Sequence, residues 1–278
     1  MKLSLVNATY KNFQYLPHLI SNLNEQNLLD FELIVCDQNE TNELEKILNS
    51  VDVSFGIQYK KVKQIGLSIA RNIGLDLAMG DIIGFVDDDC HYPKDFTEKI
   101  IDIFTQTTEI DMISVSVRDR ETKALLDFTP MKKQCKITKA NIFKAITSVG
   151  LFHRRIKGVR FDEQFGLGAS FGSCEEMDYA YQLLEKQFDG LYLPELHVFH
   201  PPNVPIGNQS LSNILSRSKG HGAYFRKNRT PFTYTVQILL IRPLGGLLLC
   251  LLKLKVKGSI RYLYMLIGRI AGFILYRD

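Results

Sequence analysis

Short runs of consecutive apolar residues alternate with amphipathic stretches in the first part of the chain. Continuous apolar runs predict buried strands, and apolar residues spaced three and four apart predict helices. The predicted strands are residues 3–7, 31–36, 55–60, 81–86 and 112–117. The predicted helices are residues 16–23, 42–50 and 67–79, and a fourth that begins at Pro93. This alternation predicts an α/β fold built on a mostly parallel, Rossmann-like sheet flanked by helices.

The pattern is less regular between residues 118 and 210. We expect short strands at 148–153, 191–193 and 197–199, and helices at 175–188 and 211–226. A glycine-rich loop, GLGASFG, occupies residues 166–172 and precedes the first of these helices.

The end of the chain differs from the rest in charge. Residues 226–278 carry ten Lys or Arg and one acid, a net charge of +9, whereas the remaining residues carry 24 basic and 29 acidic side chains, or −5. Two apolar stretches, 236–252 and 260–276, lie within this basic tail. Leucines flanked by lysines favour contact with anionic lipid headgroups over nucleic acid, so we expect peripheral membrane contact through residues 236–276. A buried helical hairpin is the alternative.

Cysteine usage and the N-terminus bear on the compartment. The five cysteines form no C-x-x-C pair, which favours neither a disulfide framework nor a zinc site. The first residues, MKLSLVNATYKNF, fit a first strand better than a signal peptide. We therefore expect a cytoplasmic protein attached to the inner face of the cell membrane.

Polar residues follow several predicted strands directly. Thr9, Asp37 and the triplet Asp87, Asp88 and Asp89 all come just after an apolar run. Ligands of open parallel sheets bind beyond the carboxyl ends of the strands. These residues therefore predict a nucleotide site at that edge, although Asp37 also fits a simple turn.

The aspartate triplet indicates a cation. Three adjacent carboxylates repel one another, and Mg²⁺ or Mn²⁺ removes the repulsion because both prefer oxygen ligands. Such a cation would stabilise a diphosphate leaving group. An acidic turn that caps the next helix is the alternative.

A second acidic cluster opens the helix at 175. Glu175, Glu176 and Asp178 suit the first turn through the helix dipole alone. A carboxylate in a cleft can also act as a general base toward an attacking hydroxyl. Arg71, which could clamp a diphosphate, and His200, which could bind metal or phosphate, fit a solvated arginine and a structural histidine equally well.

Two long segments resemble glycosyltransferase family 2, the GT-A nucleotide-sugar transferases. Residues 66–93, GLSIARNIGLDLAMGDIIGFVDDDCHYP, are similar to that family's arginine-asparagine helix, strand and acidic metal motif. Residues 161–202 resemble its acceptor-side half, with an acidic pair and a histidine after the last strand. The resemblance covers roughly residues 2–202, and the tail is similar to that of bacterial members that make surface polysaccharides.

The resemblance implies roles residue by residue. Nucleoside contacts would come from Thr9 and Asp37, ribose contacts from Asp87 or Asp88, a metal ligand from Asp89, a diphosphate contact from Arg71, and the base from Glu176. We expect Asp87 and His200 as further metal ligands. Two positions and one segment depart from the family pattern: Glu176 replaces an aspartate, Cys174 replaces a glycine, and residues 37–39 read Asp-Gln-Asn.

We therefore expect a metal-dependent, inverting transfer of a sugar from a nucleotide diphosphate sugar to a hydroxyl of a glycan or a lipid-linked acceptor. Residues 1–110 would form the donor half, 111–225 the acceptor half and 226–278 the helical tail. A nucleotidyltransferase and a non-catalytic membrane-associated scaffold of the same fold are the alternatives. The run after the first strand, NATYKNFQYL, lacks glycine, which disfavours the nucleotidyltransferase.

Overall fold

In a computed structural model of the protein, residues 1–11, 13–126, 131–202, 205–228 and 230–277 are described, the side chain of residue 206 excepted. The chain divides into two compact units. The first unit comprises Met1–Ile65, Ile69–Arg160 and Tyr179–Pro202, and the second comprises Gly66–Ser68, Phe161–Asp178 and Asn203–Asp278.

The first unit contains an eight-stranded mixed sheet. Its strands are β1 (Leu3–Thr9), β2 (Phe31–Asp37), β3 (Gly56–Lys61), β4 (Ile82–Val86), β5 (Met112–Arg118), β6 (Cys135–Ile137), β7 (Leu151–Arg154) and β8 (Gly190–Phe199). Their order in the sheet is β3-β2-β1-β4-β7-β5-β8-β6. The α/β class predicted from the alternating pattern is confirmed.

Parallel pairing fixes which strand ends lie side by side. In the register of β1 and β2, Thr9 pairs with Asp37, and in the register of β1 and β4, Asn7 pairs with Val86. The residues that follow β4 therefore lie beside the end of β1.

Helices of this unit cover the sheet through apolar faces. They are α1 (Leu16–Asn24), α2 (Glu43–Ser50), α3 (Leu67–Leu77), α4 (Phe96–Gln106), α5 (Ile142–Ala145) and α6 (Glu175–Glu185). The first residues of α3 and of α6 belong to the second unit. Leu19 of α1 and Ile100 of α4 are among the side chains buried in the core. At Gly74 of α3 a Cβ atom would lie 2.3 Å from Val6 Cγ1, so this glycine permits the close approach of helix and sheet.

Three features of the sheet differ from the predicted elements. The strand β7 begins at residue 151 after a 3₁₀ turn, and it runs antiparallel between β4 and β5. The two strands expected at 191–193 and 197–199 form the single strand β8, which pairs with β5 through a register shift after Val115. The short strand β6 was not predicted from the sequence.

The second unit is largely helical. Its remaining helices are α7 (Leu211–Lys227), α8 (Phe232–Val236), α9 (Arg242–Leu252) and α10 (Val256–Leu275), and a π-helical turn, Gln237–Ile241, joins α8 to α9. Small residues bring α7 and α10 together: a Cβ at Gly222 would lie 2.0 Å from the carbonyl oxygen of Arg269, and one at Gly272 would lie 2.0 Å from that of Lys219. By length and hydropathy, Phe232–Leu252 and Val256–Leu275 are each sufficient to cross a membrane.

Candidate functional site

Of the three aspartates after β4, Asp88 is directed into the protein. Its Oδ1 accepts a hydrogen bond from Asn7 Nδ2 at 2.9 Å, and its Oδ2 accepts one from Thr9 Oγ1 at 2.7 Å. Burial raises the pKa of Asp88 to about 6, and the neighbouring Asp87 and Asp89 act in the same direction against these hydrogen bonds. Asp88 thus ties the end of β1 to the end of β4, and this contact also engages Thr9, which is fully buried.

Asp87 and Asp89 are more accessible, with side chains 38% and 33% exposed. His200 joins them: its Nε2 lies 3.2 Å from Asp89 Oδ1 and 3.8 Å from Asp87 Oδ2. Burial opposes protonation of His200, but the hydrogen bond and charge of Asp89 outweigh it and raise the pKa of the imidazole. The same contact lowers the pKa of Asp89 against the effect of its own burial.

The backbone places His200 beside these aspartates. Phe199, the last residue of β8, exchanges two backbone hydrogen bonds with His91, at 2.9 and 2.8 Å. His200 N then donates to the carbonyl oxygen of Arg118 at 3.0 Å, at the end of β5. Three strand ends therefore converge on the predicted cluster.

Arg71 supplies a cation at the same edge. Its side chain is 2% exposed, and its Nη2 lies 3.4 Å from Asp87 Oδ1. The guanidinium carbon also lies 5.7 Å from the centre of the Phe85 ring. An arginine held this rigidly keeps its direction when an anion arrives, because little side-chain entropy remains to be lost.

Asp37 is buried and fully engaged. Its Oδ1 accepts hydrogen bonds from Asn39 N and Nδ2 at 2.8 and 2.7 Å, and its Oδ2 accepts from Tyr59 OH at 2.8 Å and Lys61 Nζ at 3.0 Å. Burial raises its pKa, but these hydrogen bonds outweigh it and lower the pKa overall. Tyr59 and Lys61 were not predicted from sequence, although both lie on β3 and Lys61 pairs with Asp37 in its register.

These residues could supply part of the shell of a divalent cation. Within the described part of the chain, no three His, Cys, Asp or Glu side chains are arranged to hold a metal ion by themselves. Mg²⁺ in particular is commonly bound by one or two carboxylates, with phosphate oxygens and water completing the shell. Asp89 and Asp87 fit that pattern, and His200 Nε2 is a further donor beside them.

The acidic pair begins α6 in the second unit. Glu175 is 8% exposed, and its Cδ would lie 3.4 Å from a Cβ atom at Gly166, a residue with a φ of +99°. Glu176 is half-buried, and Asp178 is completely buried. Burial distinguishes the pair: the glycine-rich loop covers Glu175, which leaves Glu176 the more accessible carboxylate.

Two residues of this unit were not predicted as part of a site. Lys227 Nζ lies 2.8 Å from Asp162 Oδ2 and 2.8 Å from Asp178 Oδ2. No local motif indicates that Lys227 pairs with Asp162 and Asp178, which lie 65 and 49 residues before it in the chain.

The family model described as "Glycosyl transferase family 2" matches residues 4–162. A protein of Haemophilus influenzae described as an uncharacterized glycosyltransferase is 24% identical over 187 residues, which are 66% of this chain and 62% of that protein. A second such protein of H. influenzae is 31% identical over 107 residues, 37% of this chain and 42% of its own. The alignments thus span less than two thirds of either relative.

Solved structures share the fold. The mannosyltransferase PcManGT of Pyrobaculum calidifontis, in complex with GDP-Man and Mn²⁺, aligns with a TM-score of 0.67 and 14% identity over 98% of this chain and 86% of that chain. S. aureus TarS 1–349 in complex with UDP-GlcNAc aligns with a TM-score of 0.58 and 16% identity over 98% and 89% of the two chains.

Proposed function

The chain belongs to glycosyltransferase family 2, and from this membership we propose that it transfers a sugar from a nucleotide diphosphate sugar to an acceptor hydroxyl. The observation that carries the proposal is the meeting of Asp87, Asp89 and His200 beside the buried Arg71 at one edge of the sheet. This edge is where α/β folds bind nucleotides.

In the proposed complex, Thr9, Asp37 and Asp88 support the nucleoside end of the donor, and Asp87 is directed toward the ribose. Arg71 lies near the diphosphate, where its charge opposes the charge that develops on the leaving group. Asp89, with Asp87 and His200, would hold Mn²⁺ or Mg²⁺, which when bound stabilises the departing diphosphate as a Lewis acid.

Glu176 is the proposed base. Its carboxylate accepts the proton of the acceptor hydroxyl while the hydroxyl oxygen forms a bond to the anomeric carbon. The bond from that carbon to the diphosphate oxygen breaks in the same step, and the nucleoside diphosphate leaves with the electron pair. A single displacement of this kind inverts the anomeric configuration.

The experiment that tests the proposal measures which product is released. The protein is incubated with Mn²⁺ and a panel of UDP-, GDP- and dTDP-sugars, and we expect release of one nucleoside diphosphate, accelerated by an acceptor. A nucleotidyltransferase would instead release pyrophosphate from a nucleoside triphosphate. No release from any donor, with or without candidate acceptors, would favour the non-catalytic scaffold.

For the tail we propose contact with the cytoplasmic face of a membrane. Exposed leucines on α9 and just after it, such as Leu252 at 72% and Leu254 at 87%, alternate with the exposed Lys253, Lys255 and Lys257. Residues 196–277 contain no Asp or Glu to neutralise these lysines. Because one face of α10 packs against α7, we favour helices that lie in the interface over helices that span it. A lipid-linked acceptor in surface polysaccharide or glycolipid synthesis would account for this placement.

Sedimentation with liposomes tests the tail. Replacing Lys253, Lys255 and Lys257 by Gln should weaken binding to anionic vesicles by about 1 kcal/mol per lysine at low salt. The matched control replaces three exposed lysines of the first unit, Lys46, Lys60 and Lys63, and should bind like the unaltered protein. Unaltered protein that remains in the supernatant with anionic vesicles at low salt would contradict membrane contact.

A further inference from the structure

One lysine contacts both ends of residues 162–178, the acidic segment of the second unit. Lys227, the last residue of α7, places its Nζ 2.8 Å from Asp162 Oδ2 and 2.8 Å from Asp178 Oδ2. The Asp178 side chain is completely buried, and those of Asp162 and Lys227 are 16% and 22% exposed. A single ammonium group therefore joins the beginning and the end of this segment.

Both carboxylates have further hydrogen-bond partners. Asn228 Nδ2 donates to Asp178 Oδ1 at 3.1 Å, and Tyr276 OH donates to Asp162 Oδ2 at 3.0 Å. The Tyr276 ring lies 5.6 Å from the Phe165 ring, measured between centres. The ends of α7 and α10 thus hold the acidic segment together.

Charge makes the lysine the dominant partner. Burial lowers the pKa of Lys227, but the charges and hydrogen bonds of Asp178 and Asp162 outweigh it and raise the pKa overall. Burial raises the pKa of Asp162, whereas the hydrogen bond from Lys227 helps to lower it below its ordinary value. Loss of the ammonium would leave two carboxylates without their common counter-charge, which is costly in a buried site.

Several residues beside this cluster have backbone conformations that non-glycine residues rarely adopt. Cys174, immediately before α6, has a φ of +72°, and Gly166 and Gly168 have φ values of +99° and +85°. Left-handed conformations disfavour a non-glycine residue such as Cys174 and persist only when the surroundings hold them. Asp178 lies in the first turn of α6, two residues after Glu176, so its anchor fixes the turn that carries Glu176.

We propose that Lys227 is a positioning residue for the reaction: by holding Asp162 and Asp178 together, it fixes the first turn of α6 and so the direction of the Glu176 carboxylate. This inference rests on the proposed function, in which Glu176 is the base. In this proposal Lys227 contacts neither donor nor acceptor. It affects the reaction only by fixing the first turn of α6.

The test compares Lys227→Met with Lys227→Arg and with the matched control Lys186→Met, an exposed lysine just beyond the other end of α6. Displacement of a reacting group by about 1 Å can cost up to about a hundredfold, so we expect Lys227→Met to lower kcat by about tenfold or more. The KM for the donor should stay unchanged. Lys227→Arg should recover most of the lost kcat, and Lys186→Met should match the unaltered protein.

A double variant separates positioning from a general loss of structure. In a Glu176→Gln background the base is already absent, so adding Lys227→Met should lower kcat little further. Should Lys227→Met fail to fold, Asp178→Asn replaces it, because it removes one of the two charges bound by Lys227 and keeps the shape of the side chain; the same pattern is expected.

The outcomes are distinguishable. Unchanged kcat in Lys227→Met, or full additivity with Glu176→Gln, would overturn the positioning role while the proposed base stands. Unchanged kcat in Glu176→Gln itself would overturn the base assignment, and the positioning inference with it.

Discussion

The two acidic regions of the protein are held in place in different ways. In the first unit, Asp37 and Asp88 lie at the ends of parallel strands, and the register of these strands sets their positions. Hydrogen-bond donors on the neighbouring strands contact both carboxylates. In the second unit, Asp162 and Asp178 lie outside any sheet, and Lys227 joins them from another helix. Strand register thus brings a strand-end carboxylate beside its partners, including the Lys61 that pairs with Asp37. The carboxylates of the acidic segment instead depend on a lysine from a separate helix.

This difference predicts that turnover can be lost without loss of nucleotide binding. Glu176→Gln keeps the size of the side chain but cannot accept a proton, so kcat should fall by about a hundredfold or more. Binding of a nucleoside diphosphate should be unchanged, because the proposed donor residues belong to the first unit. Steady-state kinetics with titration calorimetry measures both.

Glu175→Gln serves as the control for that variant. Glu175 is packed against the glycine-rich loop, so its replacement should leave most of the turnover. A large loss in Glu175→Gln together with a mild one in Glu176→Gln would move the base to position 175.

A smaller effect is expected from Asp37→Asn, a substitution at a strand end of the first unit. An asparagine cannot accept all the hydrogen bonds that Asp37 receives, so the free energy of unfolding at pH 7 should fall by about 1–3 kcal/mol. Because folding lowers the pKa of Asp37 from 3.8, its contribution is present above about pH 4 and is lost as the pH falls further. The difference between the two proteins should therefore shrink in acid.

Denaturant unfolding between pH 7 and pH 3 measures this prediction. Asp52→Asn, at an exposed position of the same unit, is the matched control and should unfold like the unaltered protein throughout. Equal stability of Asp37→Asn and the unaltered protein at pH 7 would show that the contacts of Asp37 add nothing to the fold.

The same difference explains which parts of the site could be predicted from the sequence. Apolar runs that end in Thr9, Asp37 or Asp87 are local signals, and parallel pairing brings their ends together, so the α/β class and the positions of these residues at strand ends were predictable. The inward direction of Asp88 was not, since it depends on Asn7, whose role appears only in the register of β1 and β4.

Contacts between residues that lie far apart in the sequence could not be predicted. Lys227 is 65 residues from Asp162 and 49 from Asp178, and no periodicity relates them. The strand β7 has only four residues and runs antiparallel, so its place between β4 and β5 could not be derived from its own pattern.

We propose that the strand-end aspartates of the first unit bind a nucleotide diphosphate together with a divalent cation. The most direct test is calorimetric titration of the unaltered protein and of Asp89→Asn with UDP and GDP, each with and without Mn²⁺. We predict that Mn²⁺ strengthens binding of one nucleotide to the unaltered protein by about tenfold or more, and that Asp89→Asn loses this gain while unfolding at an unchanged temperature. Equal cation-dependent affinity in the two proteins, or affinity that Mn²⁺ does not change, would contradict the claim.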